Sequence, residues 1–179
     1  MVKRLDKHER LWRIAFQLAE QSTCDRAKHG CVVAKNGLIL STGFNGSVDG
    51  EKHCDEVGHL IVREVRTVED PQGTSHCARA IHAEKNAVVN AAITGQSIQD
   101  ADWYITGVSC WECSKLIART KPRRIHMCST RGGERGPDPI IMQWWAERAK
   151  RLKFNLRFTT EEKLAELGVV EEKEDEKID

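Results

Sequence analysis

Predicted strands and helices alternate along most of this chain, after an opening β-hairpin. Two apolar runs flank Asn36-Gly37, a dipeptide that favours the tight turn of a two-residue hairpin. Apolar spacing further predicts helices over 7–21, 80–92, 111–119 and 140–151, and strands over 103–106, 124–128 and 154–158. This order predicts an α/β fold, a three-layer α/β/α sandwich around a mixed five-stranded sheet.

Composition divides the chain into one domain over residues 1–168 and a tail over 169–179. The last nine residues carry six acids and two lysines, which predicts a disordered tail. No apolar run approaches the roughly 20 residues of a membrane span, and the charged start is unlike a secretory signal. With a net charge of +1, we expect a cytoplasmic protein with no membrane or nucleic-acid partner.

The chemistry of the chain is concentrated in two short motifs. His82 and Glu84 lie near the start of one predicted helix, and Cys110 and Cys113 lie at the start of the next. Cysteines three residues apart share one helix face and can bind one ion. One imidazole and two thiolates leave one tetrahedral position of Zn²⁺ open for water, as in catalytic zinc sites. We predict that Glu84 moves protons beside this metal without binding it.

The same pattern, H-x-E followed by P-C-x-x-C, is typical of zinc-dependent deaminases. The chain differs from it at Ser109, which stands where proline is expected. Because serine is a favourable N-cap, we expect Ser109 to start the helix correctly. The alternative is a closed structural zinc site with a fourth protein ligand, which would leave no position for water.

Further motifs make the chain resemble the deoxycytidylate deaminases of bacteria and phages, from about residue 23 to residue 129. They occupy residues 22–26, 30–33, 41–46, 53–55, 76–79, 82–87 and 103–106. The resemblance implies a cytidine deaminase-like fold and the hydrolysis of dCMP to dUMP and ammonia. It also implies that Asn45 binds the sugar and that the backbone N–H of Ala83 binds the pyrimidine carbonyl. Arg26 is the candidate phosphate ligand, or else a surface arginine.

Phage members of the family carry a second, structural zinc ion. Cys24 and Cys54 occupy matching positions, and we predict that His76 and Cys77 complete the site, with His53 in reserve. Seven cysteines near histidines also favour metal binding over disulfides in a reducing compartment. Such a site would explain how the long region 43–75 is held in place.

Two cysteines outside these motifs, Cys31 and Cys128, lie within predicted apolar strands and are expected to be core residues. The resemblance further implies a homo-oligomer, for which a hexamer is typical, with dCTP and dTTP as effectors. Residues 92–95 lack the arginine of some regulated relatives, which leaves the effector prediction open.

Two alternatives to dCMP deamination follow from the same residues. The zinc chemistry could act on another substrate: cytidine, a modified cytosine nucleotide or adenosine in tRNA. A tRNA enzyme would require a broad basic surface, whereas this chain has only a short basic run over 119–124. The chain could also be a non-catalytic binding module scaffolded by zinc, in which case replacing Glu84 would change nothing.

Overall fold

The computed structural model describes residues 4–64, 74–129 and 139–170. The helices are α1 (Lys7–Ala19), α2 (Cys54–Val57), α3 (Ala83–Ile93), α4 (Trp111–Arg119), α5 (Pro139–Leu152) and α6 (Glu161–Glu166). The strands are β1 (Gly30–Lys35), β2 (Leu38–Phe44), β3 (Ile61–Glu64), β4 (Thr74–Cys77), β5 (Asp102–Ile105), β6 (Arg124–Cys128) and β7 (Asn155–Thr159). Of the tail 169–179, predicted to be disordered, residues 171–179 lie outside the described ranges. Val169 is buried and packs in the same core as Leu164 of α6, so the domain extends at least to this residue.

The central sheet has five strands in the order β2-β1-β5-β6-β7. β1 pairs antiparallel with β2 and with β5, whereas β5–β6 and β6–β7 are parallel pairs. The predicted mixed five-stranded sheet is therefore confirmed. Asn36 and Gly37 both have positive φ angles, 55° and 87°, as a type I′ hairpin turn requires.

Helices cover both faces of this sheet. On one face, Cys31 and Val33 of β1 pack in a core with residues of α3, α4 and α5. On the other face, Val32 and Ala34 pack with residues of α1 and α6. Successive strand residues point to opposite faces, so β1 contributes to both cores. The predicted three-layer architecture is thus the observed one. No helix among the described residues is long and apolar enough to span a membrane.

The described parts of the region between β2 and α3, residues 45–64 and 74–82, contain elements that the sequence did not predict. They include the short helix α2 and a two-stranded antiparallel sheet in which β3 pairs with β4. α2, β3 and β4 have four residues each and are too short to show a periodic apolar pattern. The sequence therefore predicts no helix or strand in this region. Cys54 begins α2 and Cys77 ends β4, so these short elements carry two of the cysteines that are predicted to bind a second metal.

Helix α3 packs directly on β2 at Gly43. A Cβ atom at this position would lie 2.2 Å from the carbonyl oxygen of Ala83 and 2.5 Å from the backbone nitrogen of Ala87. Both neighbours are helix backbone and cannot rotate away. The missing side chain at Gly43 therefore brings the first turn of α3, with His82 and Glu84, against the sheet.

We expect Gly43→Ala to destabilise the protein by about 1–3 kcal/mol, because overpacking forces the backbone of α3 to move. The same movement would displace Glu84 and lower kcat for the predicted deamination. Urea unfolding and steady-state kinetics on the folded variant measure the two effects. Wild-type values for both would contradict the close helix–strand contact.

A buried histidine lies on the α1 face of the sheet. The ring of His126 stacks on Tyr104, with ring centroids 4.6 Å apart, and lies 5.3 Å from the ring of His8. Burial, followed by the positive charges of His8 and Arg157, lowers the pKa of His126 to about 4. The folded protein therefore holds this side chain neutral.

This depressed pKa predicts a loss of stability in acid. In the unfolded chain the His126 pKa returns to about 6.5, so the stabilisation is present above pH 6.5 and is lost as the pH falls towards 4. Between pH 7 and pH 5 this group should remove roughly 2 kcal/mol from the free energy of unfolding. His126→Phe retains a stacked ring but cannot titrate. Urea unfolding at both pH values should show a smaller acid loss for the variant, and an equal loss would contradict this assignment.

Candidate active site and metal centres

Three potential metal ligands lie at the starts of two helices. His82 is the N-cap of α3 and Cys110 is the N-cap of α4, both with extended backbone angles. Cys113 lies in the first turn of α4 and is fully buried. The first-turn N–H groups of a helix have no intrahelical partner and carry positive partial charge. Two helix N-termini therefore point towards the same cluster.

The distances between these ligands suit one tetrahedral zinc ion. The Nδ1 atom of His82 lies 3.4 Å from the Sγ of Cys110 and 3.5 Å from the Sγ of Cys113. Zinc bonds of about 2.1 Å to nitrogen and about 2.3 Å to sulfur at a tetrahedral angle separate the two atoms by about 3.6 Å. The donor atoms are thus already spaced for zinc, with Nδ1 as the imidazole ligand.

This cluster has three donors rather than four. Within the described part of the chain, no further His, Cys, Asp or Glu joins His82, Cys110 and Cys113 at coordinating distance. The side chain of Glu84 is buried. Hydrogen bonds with Cys110 are the main cause that raises the pKa of His82 and of Cys113, and the charge of the nearby Glu84 raises both further. The arrangement is that of an open zinc site with a neighbouring carboxylate outside the coordination sphere.

Contacts within the cluster shift the pKa values of its two cysteines in opposite directions. The hydrogen bond from Cys113 is the main cause that lowers the pKa of Cys110 to about 3, against burial, and the neighbouring His82 lowers it further. The same contact, followed by burial and the charge of Glu84, raises the pKa of Cys113. Cys110 is therefore the cysteine of this pair that ionises more readily, and thiolate is the form that ligates zinc.

Comparison with known proteins agrees with this geometry. Residues 5–129 match the sequence profile of the cytidine and deoxycytidylate deaminase zinc-binding region. The deoxycytidylate deaminase of Enterobacteria phage T2 is 33% identical over 145 residues, which cover 66% of this chain and 77% of that protein. The chain belongs to this family.

Other relatives and a solved structure are consistent with the assignment. The deoxycytidylate deaminase of Mycobacterium phage D29 is 33% identical over 125 residues, covering 69% of this chain and 95% of that protein. The crystal structure of the dCMP deaminase from cyanophage S-TIM5, in complex with dCMP and dUMP, superposes with a TM-score of 0.62. It covers 88% of this chain and all of that chain at 22% identity, so this likeness supports the fold alone.

A second cluster brings together Cys24, Cys54, His59 and Cys77. The Sγ atoms of Cys54 and Cys77 are 3.6 Å apart, and the Sγ of Cys24 lies 3.7 Å from Nδ1 of His59. Four donors at these spacings fill a tetrahedral coordination sphere, which is typical of structural zinc. This family member therefore combines an open three-donor cluster with a closed four-donor cluster.

The ligand set differs from the predicted one at a single position. The cluster contains His59, whereas the predicted His76 and the reserve candidate His53 do not belong to it. His76 and Cys77 are consecutive in β4, so their side chains point to opposite faces and only one can reach the ion. His59 follows α2, five residues after Cys54, and this proximity to a cysteine was the only sequence signal for it.

Hydrogen bonds and burial also shift the pKa values of the cysteines in the second cluster. Burial opposes ionisation of Cys77, but hydrogen bonds from the Arg79 backbone N–H, His59 and Cys54 lower its pKa to about 6. Burial is the first cause that raises the pKa of Cys54 to about 12. Cys77 is thus the thiol of this cluster that ionises most easily.

The predicted substrate residues have other contacts in this structure. Asn45 is buried, its Oδ1 accepts a hydrogen bond from the backbone N–H of His29 and its Nδ2 donates to the carbonyl of Ala27. Arg26 is exposed and donates from Nη2 to the carbonyl and the Oγ of Ser75. Both side chains therefore have structural partners, and their contacts with substrate stay predictions.

Two further predictions can be compared with the structure at the start of α4 and α3. Ser109 is not the N-cap of α4, because Cys110 occupies that position, and the buried Oγ of Ser109 has no hydrogen-bond partner among the described residues. Ala83 is the first residue of α3 and is fully buried. Its backbone N–H belongs to the helix N-terminus beside the open zinc site, as the predicted contact with a pyrimidine carbonyl requires.

Proposed function

We propose that this protein is a zinc-dependent deaminase that converts dCMP and water to dUMP and ammonia. The observation that carries this proposal is the three-donor cluster of His82, Cys110 and Cys113 with the buried carboxylate of Glu84 beside it. Membership of the family, and relatives from phages T2 and D29 named deoxycytidylate deaminases, favour dCMP over other cytosine compounds.

The residues of the cluster have distinct roles in this proposal. When bound by His82, Cys110 and Cys113, zinc would supply an activated water by lowering its pKa to about 7. Glu84 accepts one proton of the attacking water and delivers it to the ring nitrogen. It then takes the second proton, from the hydroxyl now bonded to the ring carbon, and passes it to the amine, which leaves as ammonia while the carbonyl forms. Its position two residues from a ligand allows contact with both water and ring, and its burial excludes competing solvent.

Substrate binding would use backbone and side-chain groups around the same point. The N–H of Ala83 lies at the start of α3 and would donate to the pyrimidine carbonyl. Asn45 would bind the sugar with the second hydrogen of its amide, because the first is donated to Ala27. A phosphate contact by Arg26 would require this side chain to leave Ser75.

We further propose two zinc ions per chain, one catalytic and one structural. The donor set of the second cluster, three thiols and one imidazole within 4.8 Å of one another, supports a closed structural site. Because all seven cysteines are free of disulfides, we also propose that the protein works in a reducing compartment such as the cytoplasm.

We also propose that the chain forms a homo-oligomer and that dCTP and dTTP regulate it. Val89 and Ile93 on α3 expose 48% and 78% of their surface, which favours contact with another copy of the chain. Light scattering would give the oligomeric state, and a hexamer is the expected result. Initial rates with dCTP or dTTP added to dCMP would test both effectors.

A substrate panel with zinc analysis tests the proposed function directly. Ammonia release should be fastest from dCMP in a set that contains CMP, dCTP, cytidine, 5-methyl-dCMP and tRNA. If another compound is turned over faster than dCMP, the zinc-dependent deamination would stand and that compound would be the preferred substrate. Zinc-loaded, folded protein that releases no ammonia from any of them would favour the non-catalytic binding module.

A further inference from the structure

The second metal cluster is joined to the candidate substrate site by a continuous set of short contacts. We propose that metal bound by Cys24, Cys54, His59 and Cys77, with Asp25 orienting His59, holds the segment 24–29 and through it Asn45. Loss of this metal would weaken nucleotide binding while the catalytic centre keeps its zinc. The nucleotide-binding part of this inference rests on the proposed function.

His59 contacts the carboxylate of Asp25. The Nε2 atom of His59 lies 3.2 Å from Oδ1 of Asp25, while its Nδ1 faces the Sγ of Cys24. A histidine that ligates metal with one nitrogen commonly donates from the other to a carboxylate, which fixes its tautomer and ring orientation. Asp25 therefore acts as a positioning residue for the metal ligand His59.

Segment 24–29 leads from the cluster to Asn45. It begins at the ligand Cys24 and ends at His29, immediately before β1. The Asn45 side chain bonds twice to this segment, to the carbonyl of Ala27 at 2.7 Å and to the N–H of His29 at 2.6 Å. Because both bonds go to backbone, the position of Asn45 depends on the path of the segment rather than on one side chain.

Further contacts tie the same segment to the other ligands. Thr23 immediately precedes the segment. Its carbonyl accepts a hydrogen bond from the N–H of Cys54, and its hydroxyl accepts one from the N–H of Ser47. Arg26 donates twice to Ser75, two residues before the ligand Cys77. The segment is therefore anchored to both parts of the chain that bring cysteines to the cluster.

Little apolar packing surrounds the second metal cluster. Its buried apolar cluster consists of Cys24, Cys54 and Cys77 themselves, with Ala80 packed against them. The larger apolar side chains of the β3 strand, Ile61 and Val62, are 46% and 40% exposed. Apolar packing thus contributes little here, and metal ligation is the main interaction available to order the region.

Two variants test the inference with readouts that do not depend on catalysis. His59→Gln should reduce bound zinc from two ions to one per chain. In hydrogen–deuterium exchange, the amides of residues 24–29 and of Asn45 should exchange faster in this variant. Asp25→Asn should keep both ions but release the second one about 10–100-fold faster to a chromogenic chelator, since loss of an outer-shell partner weakens metal binding by that factor.

The matched control is Asp55→Asn, because Asp55 also directly follows a cysteine of the cluster and is exposed. It should behave like wild type in zinc content, zinc release and exchange. In kinetics with dCMP, His59→Gln should raise KM at least tenfold with kcat within about threefold.

The possible results separate this inference from the proposed function. Retention of two zinc ions by His59→Gln would overturn the ligand assignment, and zinc loss without faster exchange at residues 24–29 would overturn the coupling. If His59→Gln does not fold, zinc release from Asp25→Asn at the rate of Asp55→Asn would overturn the role of Asp25. Wild-type protein inactive on dCMP would refute the proposed function, whereas zinc counts and exchange would still decide whether the metal orders the segment.

Discussion

Replacing Glu84 with glutamine should lower kcat for dCMP by a factor on the order of 10²–10⁴, the usual contribution of a positioned acid–base group. Glutamine has nearly the same shape but cannot accept a proton from water or return it to the departing amine. Glu84 is not part of the three-donor cluster, so zinc content should stay at the wild-type value. Ammonia release and zinc analysis on the same sample measure both.

Glu112→Gln provides the control for this experiment. Glu112 lies between Cys110 and Cys113 in the chain but is exposed and paired with Lys115. The control makes the same change of charge beside the same metal and should retain wild-type activity. If Glu84→Gln keeps more than about a tenth of the activity, Glu84 is not the proton shuttle; if it loses zinc, the carboxylate is a ligand and the site is not open.

The sequence was sufficient for the main sheet and for the three donors of the open cluster. The bounds of α4 and β6 agree with the predicted ones, because apolar periodicity is clear where an element packs on the central core. The spacing of Cys110 and Cys113 within one helical turn likewise determines their common direction. The position of His82 depends in addition on a tertiary contact. Gly43 provides this contact, because its lack of a side chain allows α3 to pack close to β2.

The second cluster could not be predicted in the same way. Its four side chains come from three short segments, and the choice between His59 and His76 depends on which face of β4 is turned towards the other donors. That direction follows from the pairing of β3 with β4, which no apolar pattern in these four-residue strands indicates. Where three cysteines and one alanine take the place of a larger apolar core, hydrophobic periodicity carries little information about the fold.

The contacts of Asn45 show a related limit. The family resemblance implies that this residue binds the sugar, but the sequence contains no sign that both of its amide atoms bond to segment 24–29. A buried amide needs partners for its donors and its acceptor. Asn45 therefore combines a structural role with its predicted binding role, and a substitution there would affect both.

Removing one ligand of the open cluster should have an even larger effect than removing the proton shuttle. Cys113→Ala leaves two donors, which cannot hold catalytic zinc, so bound zinc should fall by one ion per chain and ammonia release from dCMP should become undetectable. Cys128→Ala is the matched control, because both cysteines are fully buried but Cys128 lies in the core on the opposite face of the sheet. The control should keep all its zinc and its activity, and lose about 1–2 kcal/mol of stability through the small cavity. Equal zinc contents in the two variants would contradict the assignment of Cys113. A cysteine that only fills space in the core, like Cys128, can be replaced without loss of zinc.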